Sequence, residues 1–113
     1  MTAPSIEEVW LSVLQQEQVR LRRAVEAANQ APLLATLYPF FSANWLRFTR
    51  VFEWPYEFMP FISAEGLPDD PYRALDADHN VLISGGLDIV VPAVSAAISD
   101  WIAEHPELHR RNR

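Results

Sequence analysis

The sequence predicts an α+β domain in which helices cover one face of a small antiparallel sheet. Three observations carry that prediction. Apolar residues recur at three- and four-residue intervals towards both ends of the chain, short runs of alternating apolar and polar residues lie between them, and proline, glycine and aspartate separate the runs. The expected order is an N-terminal helix, a short helix, three or four antiparallel strands and a C-terminal helix.

Ser5-Ile6-Glu7-Glu8 has the form of a capping box, in which the serine oxygen accepts from the third helical amide and Glu8 reaches back to the cap. Ile6, Val9, Trp10, Val13 and Leu14 then share one helical face. After the polar residues 15–18 the stripe resumes with Leu21, Ala24, Val25 and Ala28. Either one long helix or two halves with a kink satisfies this pattern, and one helix to about Asn29 is the expectation, with Arg20, Arg22, Arg23 and Glu26 on its wet side. Pro32 suits the first turn of the short helix, because its missing amide hydrogen would be unpaired there, and Pro39 ends the helical region after Leu37.

Residues 44–52 contain neither glycine nor proline and are rich in aromatic and β-branched side chains, the composition of a strand. Alternation places Leu46, Phe48 and Phe52 on one side and Trp45, Arg47, Thr49 and Val51 on the other. Residues 53–56 read as a turn and 57–63 as a second strand, which tolerates Pro60 only at an edge or a bulge. After a loop over 66–71, residues 72–75 and 81–84 form a hairpin across Asp76-Ala77-Asp78-His79-Asn80. Asp88 is the expected cap of the last helix, with Pro92 in its first turn and His105-Pro106 as its stop. Its stripe of Val91, Val94, Ile98 and Trp101 is expected to meet Leu46 and Phe48 in one core.

The 113 residues fit a single domain, 1–113, which can bury roughly two thirds of its unfolded surface, with about 106–113 as a frayed basic tail. No apolar run approaches the roughly 18 residues of a membrane span. The absence of cysteine excludes disulfides and thiolate chemistry, and the net charge of −6 weighs against a nucleic-acid partner. Glu7 and Glu8 stand where a targeting peptide would be basic, so the expected compartment is the cytoplasm. All nine basic residues are arginine, a bias expected of a GC-rich bacterial genome.

The richest stretch is 37–61, which holds all six phenylalanines, two tryptophans and two tyrosines. Two binding surfaces follow from it. Trp45 and Arg47, joined by Arg73, belong to an open sheet face if the helices cover the other. Trp54 and Tyr56, with Phe58 and Phe61 nearby, form the rim or wall of an aromatic pocket. The simplest role for Arg47 is a surface pair with Glu57.

Catalytic and metal signatures are weak. Asp76, Asp78 and Asn80 open like a calcium loop, but Val81 and Leu87 occupy the positions that need glycine and glutamate. His79, His105 and His109 are too scattered for a metal triad, so neither a metal nor a cofactor is expected. No serine lies in a nucleophile-elbow setting, and the Gly85-Gly86 pair reads as a turn. Among Glu53, Glu57, Glu65, Asp69 and Asp70, no spacing pairs two carboxylates as acid and base.

Leu37-Tyr38-Pro39-Phe40-Phe41-Ser42, followed by Leu46-Arg47-Phe48, resembles a family of actinobacterial domains of unknown function labelled natural product biosynthesis proteins. The helical lead-in, Tyr72-Arg73, Gly85-Gly86 and the Ala/Val-rich last helix extend the likeness in outline. The family usually has histidine after this motif, where the chain has Ala43. The resemblance implies a setting in secondary-metabolite gene clusters and brings no catalytic residues with it.

Two functions fit these observations. One is a noncatalytic interaction module holding a partner enzyme, a carrier or a precursor peptide. The other is a small cofactor-free enzyme of cyclase or isomerase type, working in an aromatic pocket with a buried carboxylate as acid or base. A closed pocket with a carboxylate at its floor favours the enzyme, and aromatics packed into a filled layer favour the module.

Overall fold

The structure is a computed structural model and describes residues 3–106. Three helices, α1 (Ile6–Val13), α2 (Val19–Asn29) and α3 (Leu87–Glu104), flank a five-stranded antiparallel sheet of order β1-β2-β3-β4-β5. The strands are β1 (Tyr38–Ser42), β2 (Trp45–Thr49), β3 (Phe61–Ser63), β4 (Tyr72–Leu75) and β5 (Val81–Gly85), and a 3-10 turn at Leu34–Thr36 precedes them. The fold class is α+β, as the sequence predicts. No helix among the described residues is long and apolar enough to cross a membrane. Residues 107–113, most of the expected tail, lie outside the described residues.

The capping box forms as expected. The Ser5 amide donates to Glu8 Oε1 at 2.8 Å and the Glu8 amide to Ser5 Oγ at 3.1 Å. The single long helix does not form: α1 is capped at Leu14, and α2 starts five residues later, after Val13 ends the first. Residues 15–18 have no apolar side chain to bury, and the Gln16 side chain accepts from the Gln18 amide, offering the backbone an alternative to the helical ladder. Both halves keep the predicted stripe and press it on the same core. Trp10 anchors α1, its Nε1–H donating to the Leu37 carbonyl at 3.0 Å, and α2 buries Leu21, Ala24, Val25 and Ala28. Arg20 is not simply on a wet face, since its Nη1 donates to the Gly66 carbonyl at 2.8 Å and its own carbonyl accepts from the Tyr72 hydroxyl at 2.9 Å.

β1 is the strand that sequence reasoning omits. Pro39 lacks an amide hydrogen, which argues against a central strand, but β1 is an edge and proline is tolerated there. It pairs with β2 in the register Pro39 to Phe48 and Phe41 to Leu46, across a turn of two residues, Ala43 and Asn44. Ala43 has φ 56°, a left-handed conformation that favours glycine. Ala43→Gly should therefore raise the unfolding free energy by roughly 0.5–1 kcal/mol in urea melts, the relief exceeding the added chain entropy. No gain would mean that this turn is unstrained.

The second expected strand shrinks to β3, because the chain over 56–60 leaves the ladder ahead of Phe61. The β4–β5 hairpin forms. Asp76 closes its loop by accepting from the amides of Asn80 at 2.8 Å and Asp78 at 2.9 Å, and the Asn80 amide chiefly holds its carboxyl below the usual range. The cap of α3 is Gly86 and not Asp88, which sits in the first turn, where its charge favours the helix dipole. With the helix starting at Leu87, Pro92 falls in the second turn, not the first.

All three helices lie on the sheet face bearing Leu46, Phe48, Ile62 and Ala74, where these side chains meet Val25, Val90, Val94 and Ile98 in one core. Trp101, expected inside it, is only partly buried at the margin. At the far edge β5 exposes Val81, Leu82 and Ile83 in succession.

Candidate functional site

The second face of the sheet is open only in part. After Thr49 the chain bends back, and Phe52, Tyr56 and Phe58 lie over Tyr38, Phe40 and Arg47 of β1 and β2. Thr49 Oγ1 is the hinge point, donating to the Val51 carbonyl at 2.9 Å and accepting from the Val51 amide at 3.3 Å. Tyr38 and Phe40 then stack against this returning segment. The Tyr38–Phe52 and Phe40–Tyr56 ring centroids are 5.2 and 4.4 Å apart, and Phe52 and Tyr56 are 5.5 Å apart. The aromatic stretch is thus a second packed layer, made of rings that the β1–β2 hairpin presents and the covering segment completes.

One ion pair ties that segment down. Arg50 Nη2 donates to Glu57 Oε2 at 2.7 Å and Arg50 Nε to Oε1 at 3.1 Å, while the Arg50 amide also donates to Oε1 at 3.0 Å. Both side chains are largely buried. Arg50 Nη1 donates to the His105 carbonyl at 2.8 Å, and its guanidinium lies 5.3 Å from the Trp101 ring centroid. The pair therefore joins the covering segment to the end of α3. His105 folds back there, its Nδ1–H donating to the Trp101 carbonyl at 2.8 Å and its ring stacked on Trp101 at 4.0 Å.

Between segment and helix lies a cleft of about 640 Å³, walled by Tyr56, Phe58, Trp101 and His105, with the Arg50–Glu57 pair and Asp78 supplying its polar groups. A shallower recess of about 260 Å³ beside it carries Asp76, Asp100 and Glu104. Among the described residues no three His, Asp or Glu side chains are grouped so as to hold a metal ion. The cleft can accept an apolar or aromatic group from a ligand. Its buried carboxylate is already ion-paired with Arg50.

The residues expected to bind are placed as follows. Tyr56 lines the cleft, and Trp54 meets it edge-on at 5.8 Å and projects outward, 69 % exposed. Trp45 lies on the second face, half-buried, with its Nε1–H donating to Glu65 Oε1 at 3.1 Å. Arg73 is half-buried two strands away on the same face, in the row Trp45, Ser63, Arg73. Arg47 points to the expected face yet is only 4 % exposed, and the carboxylate expected for it, Glu57, is held by Arg50. The expected open position is covered because the Phe58 ring and the Met59 carbonyl lie against it. Trp101, His105 and the Arg50–Glu57 pair were not foreseen as a site. Their one local signal is the opposite charges on either side of the Trp54-Pro55 turn.

The fold and the site together define a small α+β domain with helices on one face of the sheet, an aromatic segment over part of the other, and an aromatic-walled cleft. Residues 5–100 match the sequence model of a family of unknown function, DUF6193, and the chain belongs to that family. The match runs from the Ser5 cap into the last turns of α3. No curated protein and no solved structure gave a significant match.

Proposed function

We propose that the domain is a noncatalytic interaction module that holds a partner protein, a carrier or a precursor peptide through the cleft and its aromatic rim. The observation that carries this reading is the pairing of exposed Trp54 and Phe58, 69 % and 59 % accessible, with a cleft whose buried carboxylate, Glu57, is already bonded. Large rings beside a concave apolar wall are the composition of binding hot spots. A bacterial secondary-metabolite pathway is the proposed setting, and it rests on the likeness of the Leu37–Ser42 and Leu46–Phe48 motifs. The cyclase or isomerase reading draws less support. It needs a carboxylate able to exchange a proton with substrate, and Glu57 accepts charge-assisted bonds on both oxygens.

The experiment is affinity purification of chromosomally tagged protein from its own producing strain, comparing the native chain with Trp54→Ser. Trp54 is exposed, so the variant should melt within about a degree of the native protein. The expected result is a biosynthetic enzyme, carrier or precursor peptide enriched at least about tenfold on the native protein and lost from the variant. Equal recovery on both would overturn the reading.

A further inference from the structure

The most unusual group in the molecule is the Arg47 guanidinium. It sits in the middle of β2, almost wholly buried, and its Cζ is 4.1 Å from the Phe61 ring centroid, 5.4 Å from that of Phe58 and 5.8 Å from that of Trp45. Its one hydrogen bond in the structure is long, Nη2 to the Met59 carbonyl at 3.5 Å, and Nε has no protein acceptor. The salt bridge found among the described residues is Arg50–Glu57, so no described carboxylate approaches Arg47 within ion-pair distance. Arg47 and Arg50, three residues apart, thus contrast: Arg50 is bonded to a carboxylate, and Arg47 has rings and one long bond to a carbonyl.

Rings alone do not replace what burial removes. An ion taken out of water without a counter-ion is strongly penalised, and rings offset that only through the faces of the guanidinium. Burial accordingly holds the Arg47 pKa below its ordinary value. Rings engage the faces of a guanidinium and leave the in-plane N–H groups, here Nε–H among them, as the means of binding an anion. One of these rings, Phe58, is 59 % exposed and belongs to a stretch with no regular secondary structure, so displacing it breaks no helix or strand.

We propose that Arg47 is the anion-recognition group of a binding site for a carboxylate carried on a flat apolar body. The in-plane edge of a guanidinium matches the two oxygens of a carboxylate, and a planar body continues the layer of Phe58 and Trp45. A polyanion such as a nucleic acid is disfavoured by the net charge of −6. This site does not rest on the cleft reading, since an interaction module and an enzyme would both present it.

The test follows the Arg47 Nε–H resonance of 15N-labelled protein while phenylacetate is added, with methyl phenylacetate and inorganic phosphate as parallel titrants. The expected result is a saturable shift with phenylacetate, half-complete near about 1 mM, and none with the ester or with phosphate at the same concentration. Arg47→Lys keeps the charge but loses the fork, and should weaken phenylacetate binding at least about tenfold. If that variant does not fold, the native titrations decide alone. An Arg47 resonance unmoved by phenylacetate, or moved equally by the ester or by phosphate, would overturn the proposal.

Discussion

Trp10→Ala should lose about 3–5 kcal/mol of unfolding free energy, the range for truncating a large buried aromatic side chain. The indole is 3 % exposed, its ring centroid lies 6.4 Å from that of Phe48, and its N–H supplies the bond to the Leu37 carbonyl. The substitution therefore opens a cavity and removes a buried hydrogen bond together. A domain of this size has about 5–15 kcal/mol in total, so the variant should sit close to its unfolding threshold at 25 °C. Urea melts followed by circular dichroism measure the loss, and a value below 1 kcal/mol would mean that α1 is not docked as described. Trp101→Ala, at the partly buried margin, should be distinctly milder.

The second large effect is expected at Glu57. Glu57→Ala should cost about 3 kcal/mol, because it leaves the Arg50 guanidinium in a largely buried position without its carboxylate and frees the backbone amide of Arg50. The double variant Arg50→Met/Glu57→Leu should recover most of that loss, since a well-packed apolar pair can replace a buried ion pair at little penalty. The pattern separates an electrostatic origin from a general loosening of residues 50–60. If the double variant is as unstable as Glu57→Ala, the pair is not what fastens the segment.

Local chemistry in the chain announces much of this architecture. The Ser5–Glu8 box, the alternation through Leu46 and Phe48 and the Val94–Ile98 stripe each depend on neighbours a few residues away, and each appears as read. The errors arise where a distant partner decides. Pro39 looks like a stop until β1 is known to be an edge, and residues 6–29 look continuous because both helices carry the same stripe to the same core. Alternation fixes which way Arg47 points and says nothing of what crosses over it. The choice between Arg47 and Arg50 as partner of Glu57 depends on how the chain bends after Thr49, a matter of tertiary packing.

The two edges of the sheet are unlike. A helix packs on each edge strand, but β1 carries Pro39, which has no amide hydrogen to donate, whereas β5 contains no proline and exposes Val81, Leu82 and Ile83. Main-chain pairing with another strand is thus hindered on one side and unimpeded on the other. A molecule that can be extended in a single direction closes after one addition. Two such domains meeting at β5 exhaust their free edges, and the stepwise growth that turns an exposed strand into a fibre has no second end from which to continue.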